Sequence, residues 1–277
     1  MQNKRIRSFL KWPGGKYRLM PRILECLPEG AQLIEPFVGG GSVFLNSHFK
    51  CYLLNDANKD LITLYKTLQV EGEAFIKVCK GFFQAKYNTE KNYYKLREAF
   101  NKSVEPVERS ALFVYLNRHG YNGLCRYNAG QGAFNVPFGR YLKPYFPEEE
   151  LYFFHEKSKK ARFTCEDFSK TLQKAKQGSV VYADPPYVPL NNTAYFTAYC
   201  QGGFDLAAQK TLAELAMKLS DRGIPVLLSN HSTDFTKALY KDARIETFLV
   251  PRFISCKAAL RSPVLELLAL YACHNND

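Results

Sequence analysis

Asp184-Pro185-Pro186-Tyr187 follows directly on a short apolar run, Ser179 to Ala183, that has the character of a buried strand. A carboxylate, two prolines and an aromatic ring in succession end that strand abruptly, because proline cannot continue a hydrogen-bonded ladder. In open α/β sheets, ligands bind just beyond the carboxyl ends of the strands, so these residues are expected at the mouth of a site. The chemistry they suit is attack by a weak amine. An exocyclic amino group on a nucleobase has its lone pair delocalised into the ring. The Asp184 carboxylate and a backbone carbonyl left free by the following proline are two acceptors that would draw that pair back onto nitrogen. Tyr187 offers a ring on which a flat, extruded base can stack. A Pro-Pro turn carrying a surface tyrosine is the purely structural alternative, and the tetrapeptide alone does not decide between them.

Other segments supply what such a site needs. Leu33-Ile34-Glu35-Pro36-Phe37-Val38-Gly39-Gly40-Gly41-Ser42 takes a strand into three consecutive glycines and then into an apolar helix, the first half of a nucleotide-type α/β unit. Glu35 places a carboxylate at that strand end. The spacing is not Gly-x-Gly-x-x-Gly, so a dinucleotide is not implied. A second strand, Lys50 to Leu54, ends in Asn55-Asp56, where sheets of this kind hold ribose hydroxyls. Glycine loop and strand-end acid together point to an adenosine-containing ligand. Nearer the N-terminus, Trp12-Pro13-Gly14-Gly15-Lys16 forms a bend that lets backbone approach a ligand, followed by a cation and a helix from Leu19 to Cys26. It lacks the spacing of a phosphate-binding P-loop.

The chain of 277 residues is long enough for one large domain or a core with a substantial insertion, and 46% apolar residues is ordinary for a globular protein. No apolar run reaches bilayer-spanning length, and Met1-Gln2-Asn3-Lys4-Arg5 is not followed by a signal-peptide core. The eight cysteines are scattered with no Cys-x-x-Cys pair, so a zinc site has no supporting spacing, a chain of this size does not call for a disulfide framework, and small buried residues in a reducing cytoplasm are the expectation. A net charge of +12 and 14% aromatic residues suit a nucleic-acid partner, since cations meet phosphate and rings meet bases.

From Lys59 to about Pro147 the pattern becomes helical, with helices expected over 59–70, 71–84, 92–103 and 108–116. These lead into a Gly-rich, hairpin-like stretch in which Arg, Tyr and Asn interleave, from Asn117 to Tyr145, suited to reading base edges or wedging a stack. The sheet resumes at Ala161–Cys165, with Glu166-Asp167-Phe168 as another acidic strand end beside a ring. Residues 193–199 are a candidate cover for the site. Asp205 is placed to cap a helix over 206–220, closed by Gly223, and further strands are expected over 224–230, 246–250 and 264–271. The result is an α/β fold with a seven-stranded sheet and a helical insertion.

Lys11-Trp12-Pro13-Gly14-Gly15-Lys16, the segment 35–42 and Asp184-Pro185-Pro186-Tyr187, in that order, resemble the S-adenosylmethionine-dependent DNA adenine methyltransferases. Within them, residues 115–128, 134–139 and 266–271 are most similar to the Dam family, and the resemblance covers nearly the whole chain. It implies a Rossmann-like sheet, mostly parallel with the last strand antiparallel. It also implies a catalytic domain of residues 1–58 plus 148–277 and a target-recognition domain of residues 59–147. The implied activity is base flipping and methyl transfer from S-adenosylmethionine, leaving S-adenosylhomocysteine, to adenine N6 in double-stranded DNA within GATC. Catalysis would fall to Asp184, Pro185, Pro186 and Tyr187. Cofactor contacts would fall to Trp12, Lys16, Glu35, Phe37, Gly39, Asp56, Asp167, Phe168 and Asp184. Lys11, Tyr121, Asn122, Leu124, Arg126 and Pro137 match positions that read or wedge DNA, and Arg140 and Tyr141 border them. No metal and no membrane is implied, and the expectation is a cytoplasmic monomer, bacterial or phage-encoded and associated with the nucleoid.

Residues 254–264 depart from the resemblance. Ala258, Leu260 and Pro263 stand where relatives commonly have Gly, Asn and extra basic residues, which puts phosphate contacts there in question. Two rival readings remain: a DNA-binding regulator that has lost catalysis, and methylation of another amide-like nitrogen in protein glutamine or RNA. Enzymes that modify glutamine resemble Asn-Pro-Pro-Tyr and cytosine-specific ones Ser-Pro-Pro-Tyr, so Asp184 argues against glutamine and cytosine as targets, and the intact Asp184–Tyr187 stretch and glycine loop count against a regulator.

Overall fold

The computed structural model describes residues 5–130, 132–188, 204–250 and 263–272. Seven strands make one sheet: β1 (Gln32–Glu35), β2 (Cys51–Asn55), β3 (Ala161–Thr164), β4 (Ser179–Ala183), β5 (Val226–His231), β6 (Arg244–Val250) and β7 (Val264–Tyr271). Their order is β3-β2-β1-β4-β5-β7-β6. By its contacts the chain divides into two compact units, one of residues 1–20, 38–48 and 54–166, the other of residues 21–37, 49–53 and 167–277. No helix among the described residues is long and apolar enough to cross a membrane.

In the second unit β1, β4 and β5 are parallel. All five residues of β4 are buried, as an uninterrupted apolar run in a parallel sheet requires. β7 lies antiparallel to both β5 and β6, so the last strand inserts beside β5. The helices α7 (Phe168–Gln173) and α8 (Leu206–Asp221) follow β3 and β4 in the chain. Asp205 caps α8, its Oδ1 accepting from the Ala208 N–H at 2.8 Å, and Gly223 ends it at φ 78°. Leu212, Ala213, Ala216 and Leu219 of α8 join Ile34, Val181, Ala183, Val226, Leu228 and Leu267 in one apolar cluster. A short helix, α9 (Asp234–Leu239), precedes β6.

The first unit is mainly helical. Helix α3 (Lys59–Gly81) runs through the break expected near residue 70, but Gly72, at φ 50° and ψ −121°, kinks it there. Any Cβ at Gly72 would lie 2.7 Å from the His155 ring. Next come α4 (Glu90–Lys102) and α5 (Pro106–His119), capped by Thr89 and Glu105. From Ser110 to His119 every residue of α5 is buried, so Asn117, Arg118 and His119 belong to the interior. The sequence gives no expectation of α6 (Glu148–Ser158), although Glu148-Glu149-Glu150 behind Pro147 is a legible helix start. Phe154 of α6 packs against Phe9 and Tyr65. The hairpin-like stretch keeps two antiparallel bridges, Gly120 with Phe138 and Tyr127 with Phe134.

Candidate active site

The β4–β5 register pairs Ala183 with Leu228, so Asp184 and Ser229 are the next residues on neighbouring strands. The Ser229 hydroxyl donates to Asp184 Oδ1 at 2.7 Å and lies 3.1 Å from the Tyr182 hydroxyl. Tyr182, buried and close to the Asp184, Glu35 and Glu266 carboxylates, is held well above the ordinary phenol range, first by burial and then by those charges. Pro185 is buried and Pro186 exposed. Among the described residues no donor takes the Pro185 carbonyl, whereas the Pro186 carbonyl accepts from Gln209 Nε2 at 2.8 Å. Tyr187 is half-buried. Its hydroxyl donates to Glu266 Oε2 at 3.1 Å and its ring meets His231 edge-on at 4.7 Å. Burial, with Asp184 second, pushes its phenol far above 10, so it stays protonated throughout the physiological range.

The same unit holds a ring cluster. Phe37 lies 5.4 Å from Phe168 and 5.2 Å from Phe204, and the last two are 5.3 Å apart. Glu35 is buried at the end of β1. Asp167 is exposed and caps α7, its Oδ1 accepting from the Ser169 N–H at 2.9 Å. The sequence drew attention to Asp167 as an acid at a strand end; its cap role belongs to the helix it starts.

In the first unit, Asp56 accepts from the backbone N–H of Gly39 at 3.0 Å and of Asn58 at 2.9 Å. Burial raises its pKa and these two donors oppose the rise. This carboxylate therefore ties the glycine loop to the end of β2. Gly39 and Gly41 take φ of 46° and 71°, which favour glycine. Trp12 lies directly on the loop: a Cβ at Gly39 would sit 2.7 Å from the indole Nε1. The Tyr65 hydroxyl donates to the Gly39 carbonyl at 2.6 Å. Lys16 is buried and donates to the Gly14 carbonyl at 2.9 Å. Asn58 caps α3 and reaches Cys125 Sγ at 3.3 Å, where burial pushes the thiol to about 11.

That unit also gathers the sequence-assigned DNA residues. Lys11 is clamped by Asn117, whose amide bonds both its N–H (2.8 Å) and its carbonyl (2.7 Å). The Lys11 ammonium sits 3.8 Å over the Tyr141 ring, and burial, with Arg118 second, lowers its pKa. The Tyr141 hydroxyl in turn accepts from the Asn122 N–H at 3.0 Å. Asn122 and Arg140 both have φ 53°, a sharp backbone reversal at each. Tyr121 is exposed and its N–H donates to the Pro137 carbonyl at 2.9 Å. Leu124 is partly buried and Pro137 exposed. Arg126 is exposed, its Nε donating to Asn135 Oδ1 at 2.7 Å, which fixes the plane of the guanidinium. Arg140 faces Glu90 at 3.9 Å. The cover segment 193–199, and Ala258 and Leu260 of the departing loop, lie outside the described residues.

The sequence drew no attention to Ser229, Gln209 or Asn230 as site residues, and placed Asn117 at the start of the hairpin-like stretch suited to reading base edges. A signal existed for the first and third: the apolar β5 ends in Ser229-Asn230-His231, a polar strand end parallel to that of β4. Gln209 sits within a helical run and carries no local mark, and Asn117 lies inside α5, which runs on to His119, past the end expected at residue 116.

A seven-stranded α/β sheet of this order, with β7 inserted antiparallel beside β5 and Asp-Pro-Pro-Tyr at the end of β4, is the architecture of a nucleobase amino-methyltransferase. Residues 12–250 match the family described as D12 class N6 adenine-specific DNA methyltransferase, and the chain belongs to that family. It is similar to a protein named DNA adenine methylase from Serratia marcescens, 53% identical over 97% of this chain and 99% of the relative. Proteins of the same name from Escherichia coli K12 (52%, over 97% and 96%) and Vibrio cholerae (50%, over 98% of each) are similar as well. The chain is therefore an adenine-specific DNA methyltransferase: its substrate is DNA and it uses a methyl donor of the S-adenosylmethionine type.

Proposed function

We propose that the protein transfers a methyl group from S-adenosylmethionine to adenine N6 within GATC in double-stranded DNA, on a base flipped out of the duplex. The observation that carries this reading is the Asp184 carboxylate, oriented by Ser229 and followed by the Pro185 carbonyl, which takes no donor among the described residues. Two acceptors side by side suit the two hydrogens of one amino group.

The residues fit an adenosine-bearing donor. A loop of positive-φ glycines lets backbone approach closely, a partly buried carboxylate lies beside it, and the Phe37–Phe168 pair suits a flat purine. In the first unit we assign Trp12, Lys16, Gly39 and Asp56 to donor binding; in the second, Glu35, Phe37, Asp167, Phe168 and Asp184. When bound, the donor supplies a methyl on sulfonium sulfur, a good leaving group. The protein's part is positioning and electrostatics. Asp184 and the Pro185 carbonyl accept hydrogen bonds from the adenine amino group, which localises its lone pair for in-line attack. Tyr187, protonated and anchored by Glu266, offers its ring to the base, and Pro186 shapes the turn.

Residues 59–147 form the target-recognition part, and residues 1–58 with 148–277 the catalytic part. Arg126, held by Asn135, suits a guanine's O6 and N7. Lys11, Tyr121, Asn122, Leu124, Pro137, Arg140 and Tyr141 read, wedge or border the target site. The protein, bacterial or phage-encoded, works as a monomer in the cytoplasm, at the nucleoid.

Radiolabelled methyl from S-adenosylmethionine is expected to enter GATC duplexes, and Asp184→Ala to abolish transfer while duplex binding persists. Equal labelling of duplexes lacking GATC would overturn the specificity, and transfer by Asp184→Ala the mechanism.

A further inference from the structure

The turn that carries Tyr187 is held from behind by a buried polar cluster with no part in the reaction as proposed. Gln209 of α8 and Asn230 of β5 are 2% and 0% exposed, and Tyr240, after α9, is also fully buried. Gln209 Nε2 donates to the Pro186 carbonyl at 2.8 Å, and its Oε1 accepts from Asn230 Nδ2 and the Tyr240 hydroxyl, both at 3.2 Å. Asn230 Oδ1 accepts from the Val188 N–H at 3.2 Å and the His231 N–H at 2.9 Å. His231 Nδ1 lies 2.8 Å from the Val188 carbonyl and so carries the proton. The peptide groups on both sides of Tyr187 are therefore fixed by side chains of elements distant in sequence.

A mostly apolar core does not need such a cluster for packing. Buried amides are costly unless fully bonded, and a volume-matched apolar pair would fill the same space. Besides the His231 N–H, the backbone groups these side chains bond are those of Pro186 and Val188, on either side of Tyr187. Since proline's ring fixes φ at Pro185 and Pro186, the remaining freedom of the turn lies largely in the Pro186–Tyr187 peptide plane. That plane sets the direction of the Tyr187 ring.

We propose that Gln209, anchored by Asn230, is a positioning residue that fixes the Pro186–Tyr187 peptide and thereby holds Tyr187 against the extruded adenine for methyl transfer. The inference rests on the role proposed above for the Asp184–Tyr187 turn.

The test is single-turnover methylation of a GATC duplex by the full chain, with DNA and S-adenosylmethionine affinities measured in parallel. Gln209→Leu is expected to lower the transfer rate roughly 10- to 100-fold, the scale of a slight misplacement of reacting groups, with both affinities within about twofold. Tyr240→Phe removes a hydroxyl from the same cluster but touches no atom of the turn, and its rate is expected to stay within about twofold of the parent. Gln209→Glu keeps the acceptor for Asn230 and donates to Pro186 only when protonated. Its rate is expected to recover towards that of the parent as pH falls and to drop as pH rises, relative to the parent's profile. A folded Gln209→Leu with the parent rate, equal losses in Tyr240→Phe and Gln209→Leu, or a Gln209→Glu profile parallel to the parent's would each overturn the inference. If Gln209→Leu does not fold, the Gln209→Glu profile decides. Should Asp184→Ala retain transfer, the reading of the turn itself fails. Loss in Asp184→Ala with no effect at Gln209 defeats only the positioning role.

Discussion

His119 shows how a residue's environment overrides its type. In sequence it stands in Asn117-Arg118-His119-Gly120, at the head of the basic, aromatic arm. In the fold its ring stacks on Tyr115 at 4.0 Å, and Nδ1 lies 3.0 Å from the Tyr115 carbonyl. Burial, with Lys11 as a lesser cause, lowers its pKa to about 4 against the opposing pull of that carbonyl. A depressed folded-state pKa means that the unfolded chain binds the proton more tightly. The stability contributed by neutral His119 is therefore fully present above about pH 6.5 and is lost as pH falls through about 4, a term of roughly 3 kcal/mol. Denaturant unfolding at a series of pH values should show a shallower decline for His119→Gln than for the parent in that window; parallel declines would contradict it. Arg118 is similar. Burial lowers it to about 10, and it donates to the Phe9 carbonyl, so this cation belongs to the interior.

At the scale of elements, the glycine loop between β1 and α2 (Ser42–Asn46) depends on one position more than its neighbours. Gly39 combines φ 46° with a Cβ position 2.7 Å from Trp12 Nε1, whereas Gly14, at φ 74°, has open space around its Cβ position. Gly39→Ala should cost about 1–3 kcal/mol and weaken S-adenosylmethionine binding. Gly14→Ala carries backbone strain alone, about 1–2 kcal/mol. Thermal melts with and without S-adenosylmethionine check this, and equal effects at the two sites would refute it. The elements themselves were largely legible. β4, β7 and α8 fall within a residue or so of their expected bounds because apolar runs, Asp205 and Gly223 mark them locally. The kink at Gly72 falls beside the expected break because glycine tolerates that geometry. The six-residue α7 shows no periodicity long enough to read.

For the whole molecule, the net charge of +12 governs the approach to DNA more than the recognition of a site. Affinity for any duplex should fall steeply between 50 and 200 mM salt, by roughly 10³–10⁵ if six to ten phosphates are contacted. Fluorescence anisotropy on a GATC duplex and on one lacking it should give similar slopes displaced in affinity. A salt-independent affinity would remove the electrostatic reading.

By itself, the sequence determined the kind of chemistry and the kind of sheet. A carboxylate before Pro-Pro-Tyr, a glycine loop and their order are local facts, and local facts survive in a linear string. Only the tertiary structure decided which polar groups meet Asp184 and the turn that follows it and which lie in the core. Ser229 meets Asp184 because β4 and β5 pair in one register, and Gln209 meets Pro186 because α8 folds back on the sheet. Asp56 closes on Gly39 because the end of β2 lies beside the loop that follows β1. Hydrogen bonds between residues 17 to 45 positions apart depend on how the chain returns to itself, and residue type and spacing do not encode that return.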